Sequence, residues 1–408
     1  MHVVFVEPNF PRNQRDFVRA LHQVGARVTG IGESSLESLD GELKGWLSAY
    51  EQVKSVTHLE SMHETVKRIQ TRGWVDRLET TVESHIETAA KVREACNIPG
   101  TSTRTAFLCR DKPAMKDALR AAGVACAQSI GTSSADEVRA FVAQIGYPVI
   151  LKPRAAAGAS GTYRAANAEE LERAIRDSQV DRGAGVAVEE FIEGHEGFYD
   201  TLCIEGQVVA DFACHYFPNV LEAMRTRWIS PQILVTNRIG DSSYDEVKRM
   251  GVAVNAALGI GTSATHMEWF FGPKGLKFSE IGCRPPGVRV WDIYSAANGM
   301  DLYLEWANAI VHGRVAKRPS REYAGGMIAL RPDRDGRIVS YEGVDALKSR
   351  YSRWILDSHF PPPGSATGTV EGGFMSNAWV RMRHPDFDEL RNMLNWVGEN
   401  VKVRASGA

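Results

Sequence analysis

Short apolar runs of strand length, separated by apolar positions at helical spacing, open the chain. Val3 to Val6 is a continuous apolar run, residues 8–13 form a turn, and Phe17, Leu21 and Val24 repeat at helical spacing until Gly25 ends the element. A second apolar run covers 28–31. The same alternation then predicts helix over 36–47, strand over 52–56, helix over 62–69, strand over 75–81 and helix over 85–95. Strands alternating with helices predict a mostly parallel sheet. The loop after the first strand is Glu7-Pro8-Asn9-Phe10-Pro11, so the glycine-rich fingerprint of a dinucleotide site is absent.

The pattern changes near Arg110, after a break at Asn97-Ile98-Pro99-Gly100. Asp111 reads as a helix N-cap with Pro113 in the first turn. Helix is expected again over 138–145, then strand over 147–153, a loop of small residues over 155–162, helix over 168–176 and strand over 186–192. Strands over 198–204 and 208–214 and a helix over 244–258 lead to two aromatic-rich strands joined by Gly272-Pro273-Lys274-Gly275. Helices over 290–299 and 302–311 follow, then a strand-rich segment from 319 and a terminal helix over 386–401. The division expected is 1–105, 106–315 with a small lid of about 125–195, and 316–408.

Composition narrows the classes without choosing among them. The 408 residues are 43% hydrophobic and 24% charged, an ordinary globular balance. A net charge of −2 offers nothing to nucleic acid or an anionic membrane. No apolar run approaches the roughly 20 residues that span a bilayer. Six scattered cysteines without zinc spacing read as reduced thiols, and the N-terminal run lacks a basic leader, so a cytoplasmic protein is expected.

Chemistry concentrates in the hairpin. A three-residue loop, Pro273-Lys274-Gly275, would place Glu268 directly opposite Glu280 with Gly275 left-handed. Two carboxylates a strand apart repel unless a cation lies between them, and magnesium favours one or two carboxylates plus phosphate oxygens. Arg284 falls on the same face by parity, and could hold a phosphate oxygen. His266 also shares this face, either as a satisfied half-buried histidine or as a contact to substrate. Lys152 ends a strand before the small-residue loop, where backbone amides can approach phosphate; Lys112 starts a helix. Backbone around Glu189-Glu190-Phe191-Ile192 could read a base edge, and Glu196 could accept from ribose hydroxyls. Arg225, Arg227 and Trp228 read either as an ordinary surface loop or as a clamp on a carboxylate substrate. Taken singly, Lys112, Lys152 and Glu189-Glu190 each have an ordinary structural reading.

Their order is more informative. Asp111-Lys112, Pro148 to Pro153 with its Gly/Ala/Ser loop, Val188 to Gly194, and Glu268…Glu280-x-x-x-Arg284 together resemble the ATP-grasp superfamily over roughly 100–315. The resemblance implies a Rossmann-like, parallel-sheet N-terminal domain, with Glu83 before a helix, then an α+β ATP-grasp domain and a strand-rich C-terminal subdomain. It implies ATP held by Lys112, Lys152, the loop through Gly158, Ser160 and Gly161, Glu189, Glu190, Ile192 and Glu196. Mg2+, with Mn2+ as a substitute, would be held by Glu268 and Glu280, and Arg284 and His266 would be the catalytic candidates. His-x-Glu with Arg-Pro-Pro-Gly looks most like the amino-acid ligase branch, related in architecture to biotin carboxylase. That branch joins small carboxylate and amine substrates through an acyl phosphate, with Arg225 to Trp228, Arg289 and Trp291 expected to set specificity. A homodimer is compatible with this reading. The sequence departs from the superfamily at Gly282, where many members carry asparagine. A nucleotide-binding sensor without turnover, or a ligase with a thiol or hydroxyl acceptor, stays open beside the amide-forming reading.

Overall fold

The computed structural model describes residues 1–154, 161–368 and 377–407. Its first sheet comprises β1 (His2–Val6), β2 (Arg27–Gly32), β3 (Ala49–Gln52) and β4 (Arg77–Glu79), all parallel in the order β3-β2-β1-β4. Every residue of β1 is buried, as a parallel strand covered by helices on both faces must be.

A second, antiparallel sheet holds β5 (Ser129–Thr132), β6 (Val149–Pro153), β7 (Tyr163–Ala165) and β8 (Val186–Glu190), ordered β5-β8-β6-β7. Helices Ala135–Ile145 and Ala168–Asp177 close its own small core around Val142, Leu151 and Ile175. Eight antiparallel strands form the main sheet. They include β9 (His195–Ile204), β10 (Gln207–Phe217), β11 (Gln232–Val235), β12 (Ser263–Gly272), β13 (Gly275–Gly282) and β14 (Ala324–Leu330). A small strand, β15 (Arg337–Glu342), stands outside it, and β16 (Ile355–His359) and β17 (Ala378–His384) complete the order β13-β12-β9-β10-β11-β14-β17-β16. The strand-rich C-terminal segment therefore extends the central sheet. Its remaining strand β18 (Lys402–Ser406) pairs with β15.

The N-terminal sheet is not an isolated lobe. Phe17 lies 4.9 Å from Tyr303, 5.0 Å from Trp306 and 5.3 Å from Trp291, centroid to centroid, so the helix after β1 shares an aromatic core with the helices that follow the hairpin. Among the described residues, no helix is long and apolar enough to cross a membrane.

Candidate active site

The hairpin brings Glu268 and Glu280 into direct register, though by a route that differs from the expected loop. The turn has two residues, Pro273 and Lys274, because Gly272 pairs with Gly275, whose φ is +75°. Continued without interruption, that register would put Ser279 opposite Glu268. The ladder instead shifts between Trp269, which pairs with Phe278, and Glu268, which pairs with Glu280. Ser279 is the extra residue of a β-bulge, and the bulge keeps Glu280 on the face of Glu268.

Three lysines confront these carboxylates. Asp111 caps helix Lys112–Ala121 by accepting from the Ala114 N–H at 3.0 Å, which fixes the start of the element and the side of Lys112. Lys112 Nζ lies 3.3 Å from Glu280 Oε2. One turn on, Lys116 Nζ lies 2.6 Å from Glu189 Oε2, an oxygen that Lys152 Nζ approaches to 3.0 Å. Burial works against ionisation of Glu189, but the two ammonium groups outweigh it and hold the carboxyl at about 2. Burial pushes Lys116 down to about 8, with Glu189 opposing. Lys116, at 1% exposure, was missed by the sequence reading; its signal was the four-residue spacing from Lys112 on one helix face.

Further along the same sheet face stand Glu196, Asp200 and His266. Glu196 accepts from the Val220 N–H at 2.6 Å. Burial, then the negative charge of Glu268, push its carboxyl up to about 8. His266 lies opposite Asp200 across β12 and β9, with Nδ1 2.8 Å from Asp200 Oδ1 and Nε2 3.7 Å from Glu268 Oε1. Burial disfavours its charge, but Asp200 and Glu268 override this and raise the ring to about 9. Tyr294 donates its hydroxyl to the other Asp200 oxygen at 2.5 Å. Nothing in the local sequence marked Asp200, which is 2% exposed.

Arg284 donates from Nε to Glu83 Oε2 at 2.5 Å and from Nη1 to the Pro285 carbonyl at 2.8 Å. Burial works against its charge, but Glu83 outweighs this, with Glu280 and Glu268 adding to the same field. Cys283, by contrast, is buried in the core with Met267, Trp269 and Phe278.

The other candidates divide. Lys112, Lys116, Lys152, Glu189, Glu190, Ile192, Glu196, Glu268 and Glu280 all border one cavity of about 370 Å³, joined by the apolar Ile150, Leu221 and Phe270. The Glu190 N–H is committed to the Gln128 carbonyl at 3.0 Å. Arg225 also borders the cavity and donates to the Thr162 carbonyl at 2.9 Å, tying its loop to the residue before β7. Gly161 has a φ of +66°; Gly158 and Ser160 lie outside the described residues. Arg227 pairs with Asp335 at 2.7 Å, Trp228 is 88% exposed, and Arg289 pairs with Asp16 and Asp292. These three are not among the residues that border the cavity.

The donor set fits a divalent ion with a polyphosphate. Among the described residues no group of three or more His, Cys, Asp or Glu could cage a metal. An ion at Glu268 and Glu280 would complete its shell with phosphate and water oxygens, the coordination magnesium prefers. Glu189 Oε1 is buried without a hydrogen-bond partner, a polar atom unsatisfied in the cavity wall.

Residues 111–307 match the family model described as the ATP-binding domain of the carbamoyl-phosphate synthase L chain. The chain is 28% identical over 234 residues to alanine–anticapsin ligase of Bacillus subtilis, a match covering 51% of this chain and 48% of that protein. It is 25% identical over 248 residues to an L-arginine-specific L-amino acid ligase of Bacillus subtilis, covering 59% of each. The chain thus spans about half the length of the curated relatives it matches. An L-amino acid ligase from Bacillus licheniformis has the same fold, with a TM-score of 0.76 at 16% identity over 100% of this chain and 99% of that one. Residues 111–307 thus resemble an ATP-grasp ATP-binding domain, within a fold that the chain shares end to end with that ligase.

Proposed function

We propose that the protein is an ATP-dependent carboxylate–amine ligase acting on small carboxylates or amino acids. The observation that carries this reading is the register of Glu268 and Glu280, side by side with Lys112 and Lys152 facing them and Arg284 beyond. The two Bacillus subtilis relatives, both named as ligases, support it.

In this mechanism Lys112, Lys116 and Lys152 hold the ATP phosphates, and Glu196 and the segment from Glu189 to Ile192 hold the nucleoside. Glu268 and Glu280 would hold Mg2+, which when bound neutralises phosphate charge. Arg284 stabilises the charge that builds as a substrate carboxylate oxygen attacks the γ-phosphorus and ADP departs. His266, anchored by Asp200, borders a smaller pocket with Arg284, whose walls share Lys112 and Glu280 with the main cavity. An amine then adds to the acyl carbon and loses a proton, and phosphate leaves, giving the amide. Positioning and charge compensation carry the rate.

The test is incubation of purified protein with MgATP and pairs of amino acids or small carboxylates, reading ADP and the mass of any condensed product. The ligase reading predicts ADP release stimulated by a particular pair, with a product lighter than the pair by one water. MgATP binding without ADP release for every pair would contradict it.

A further inference from the structure

Gly282 closes β13 opposite His266, and its backbone does not lie in the left-handed region that calls for glycine. What it provides is room. A Cβ at this position would come within 3.0 Å of Glu83 Oε2 and 3.4 Å of Arg284 Cγ. The space is filled by Glu83, which arrives from the N-terminal domain. Its Oε2 accepts from Arg284 Nε at 2.5 Å, and its Oε1 lies 3.4 Å from Arg110 Nη1, which also donates to the Glu83 carbonyl at 3.0 Å. Arg110 immediately precedes Asp111, the cap of the helix that carries Lys112 and Lys116. Glu83 thus joins the hairpin arginine to the start of the lysine helix.

Side-chain exposures of 17% for Arg284 and 22% for Glu83 make this a shielded ion pair, for which geometry matters more than at a surface. With Nε given to Glu83 and Nη1 to the Pro285 carbonyl, the guanidinium plane is fixed from two sides. We infer that Glu83 is a positioning residue for Arg284, and that Gly282 is the vacancy through which it reaches the arginine. The inference rests on the ligase reading only in giving Arg284 a transferring phosphoryl group to meet. It also accounts for the missing side chain at 282: an asparagine there would displace Glu83.

The test compares wild type with Glu83→Gln, Gly282→Ala, Gly282→Asn and the double variant Glu83→Ala/Gly282→Asn. The first readout needs no turnover: phenylglyoxal modification of Arg284, mapped by peptide mass spectrometry. Loss of a charge-assisted clamp should speed modification about tenfold in Glu83→Gln and Gly282→Asn, with Gly282→Ala between these and wild type. The second is steady-state kinetics with an active substrate pair. Glu83→Gln and Gly282→Asn should each lose about tenfold or more in kcat while KM for ATP stays within about twofold, and the double variant should be no worse than the poorer of these two.

Equal labelling of Arg284 in wild type and Glu83→Gln would overturn the inference. So would a Gly282→Asn protein that binds Mg2+ more tightly and keeps full kcat, because position 282 would then merely lack a metal ligand. If wild type turns over no pair at all, the ligase reading falls while the labelling experiment still decides whether Glu83 clamps Arg284.

Discussion

Glu268 and Glu280 face each other across the β12–β13 ladder because one residue, Ser279, bulges out of it. Like charges directly opposite in a sheet are destabilising, so the pair is held in place at a cost that a bound cation would remove. Glu268→Gln and Glu280→Gln should each lower MgATP-dependent ADP release at least about 100-fold. Without nucleotide, the melting temperature of Glu268→Gln should stay level or rise slightly, whereas Glu280→Gln also gives up the pairing with Lys112 and should melt lower. Calorimetric titration with Mg2+ and ATP separates the two effects, and an unchanged Mg2+ requirement in both variants would count against the metal assignment.

Lys116 gives the second prediction. Its ammonium group is fully enclosed beside Glu189, in the wall of the proposed nucleotide cavity. Lys116→Met should weaken ATP binding by about tenfold, the size of one charge-assisted hydrogen bond, and leave the helix intact because Asp111 still caps it. Calorimetry with ATP and far-ultraviolet circular dichroism would measure both.

The fold was legible in its local parts. Apolar periodicity placed the first, second and fourth strands, the helix after Asp111 and the hairpin, while the third strand runs over Ala49–Gln52 instead of the expected 52–56; the ordered motifs fell around one cavity. What escaped depended on tertiary placement. The C-terminal strands join the central sheet through β11–β14 pairing, which no local pattern encodes. Asp200 reads as one polar residue in an apolar strand until His266 and Tyr294 converge on it. The bulge at Ser279 was invisible because a three-residue turn would have given the same glutamate pairing. Arg227 and Arg289 looked like substrate cations, but their charges are engaged by Asp335, Asp16 and Asp292.

Acid stability follows from Glu189. Lys116 and Lys152 outweigh burial and hold its carboxyl at about 2, against an ordinary value of 4.5. A depressed folded-state pKa contributes stability that is present above the ordinary value and disappears as pH falls through the folded one. The contribution is about 3 kcal/mol, and the window is pH 4.5 down to about 2. Without nucleotide, the stability advantage of wild type over Glu189→Gln should therefore shrink across that window, as urea titrations at successive pH values would record. An advantage that stayed constant down to pH 2 would mean that the lysines do not hold the carboxylate ionised.

Arg284 should not tolerate lysine. The guanidinium uses Nε and Nη1 in fixed directions, and an ammonium group cannot reproduce that planar geometry. Arg284→Lys should lose about 100-fold or more in kcat with a preserved charge and little change in ATP affinity. Rates of ADP release at saturating ATP measure this directly.

The most direct measurement of the proposed mechanism is the fate of oxygen during turnover. With an active pair and an 18O-labelled carboxylate substrate, attack of that carboxylate on the γ-phosphorus predicts one 18O atom transferred to each inorganic phosphate formed. Phosphate free of label, in a reaction that still makes amide, would contradict activation through an acyl phosphate.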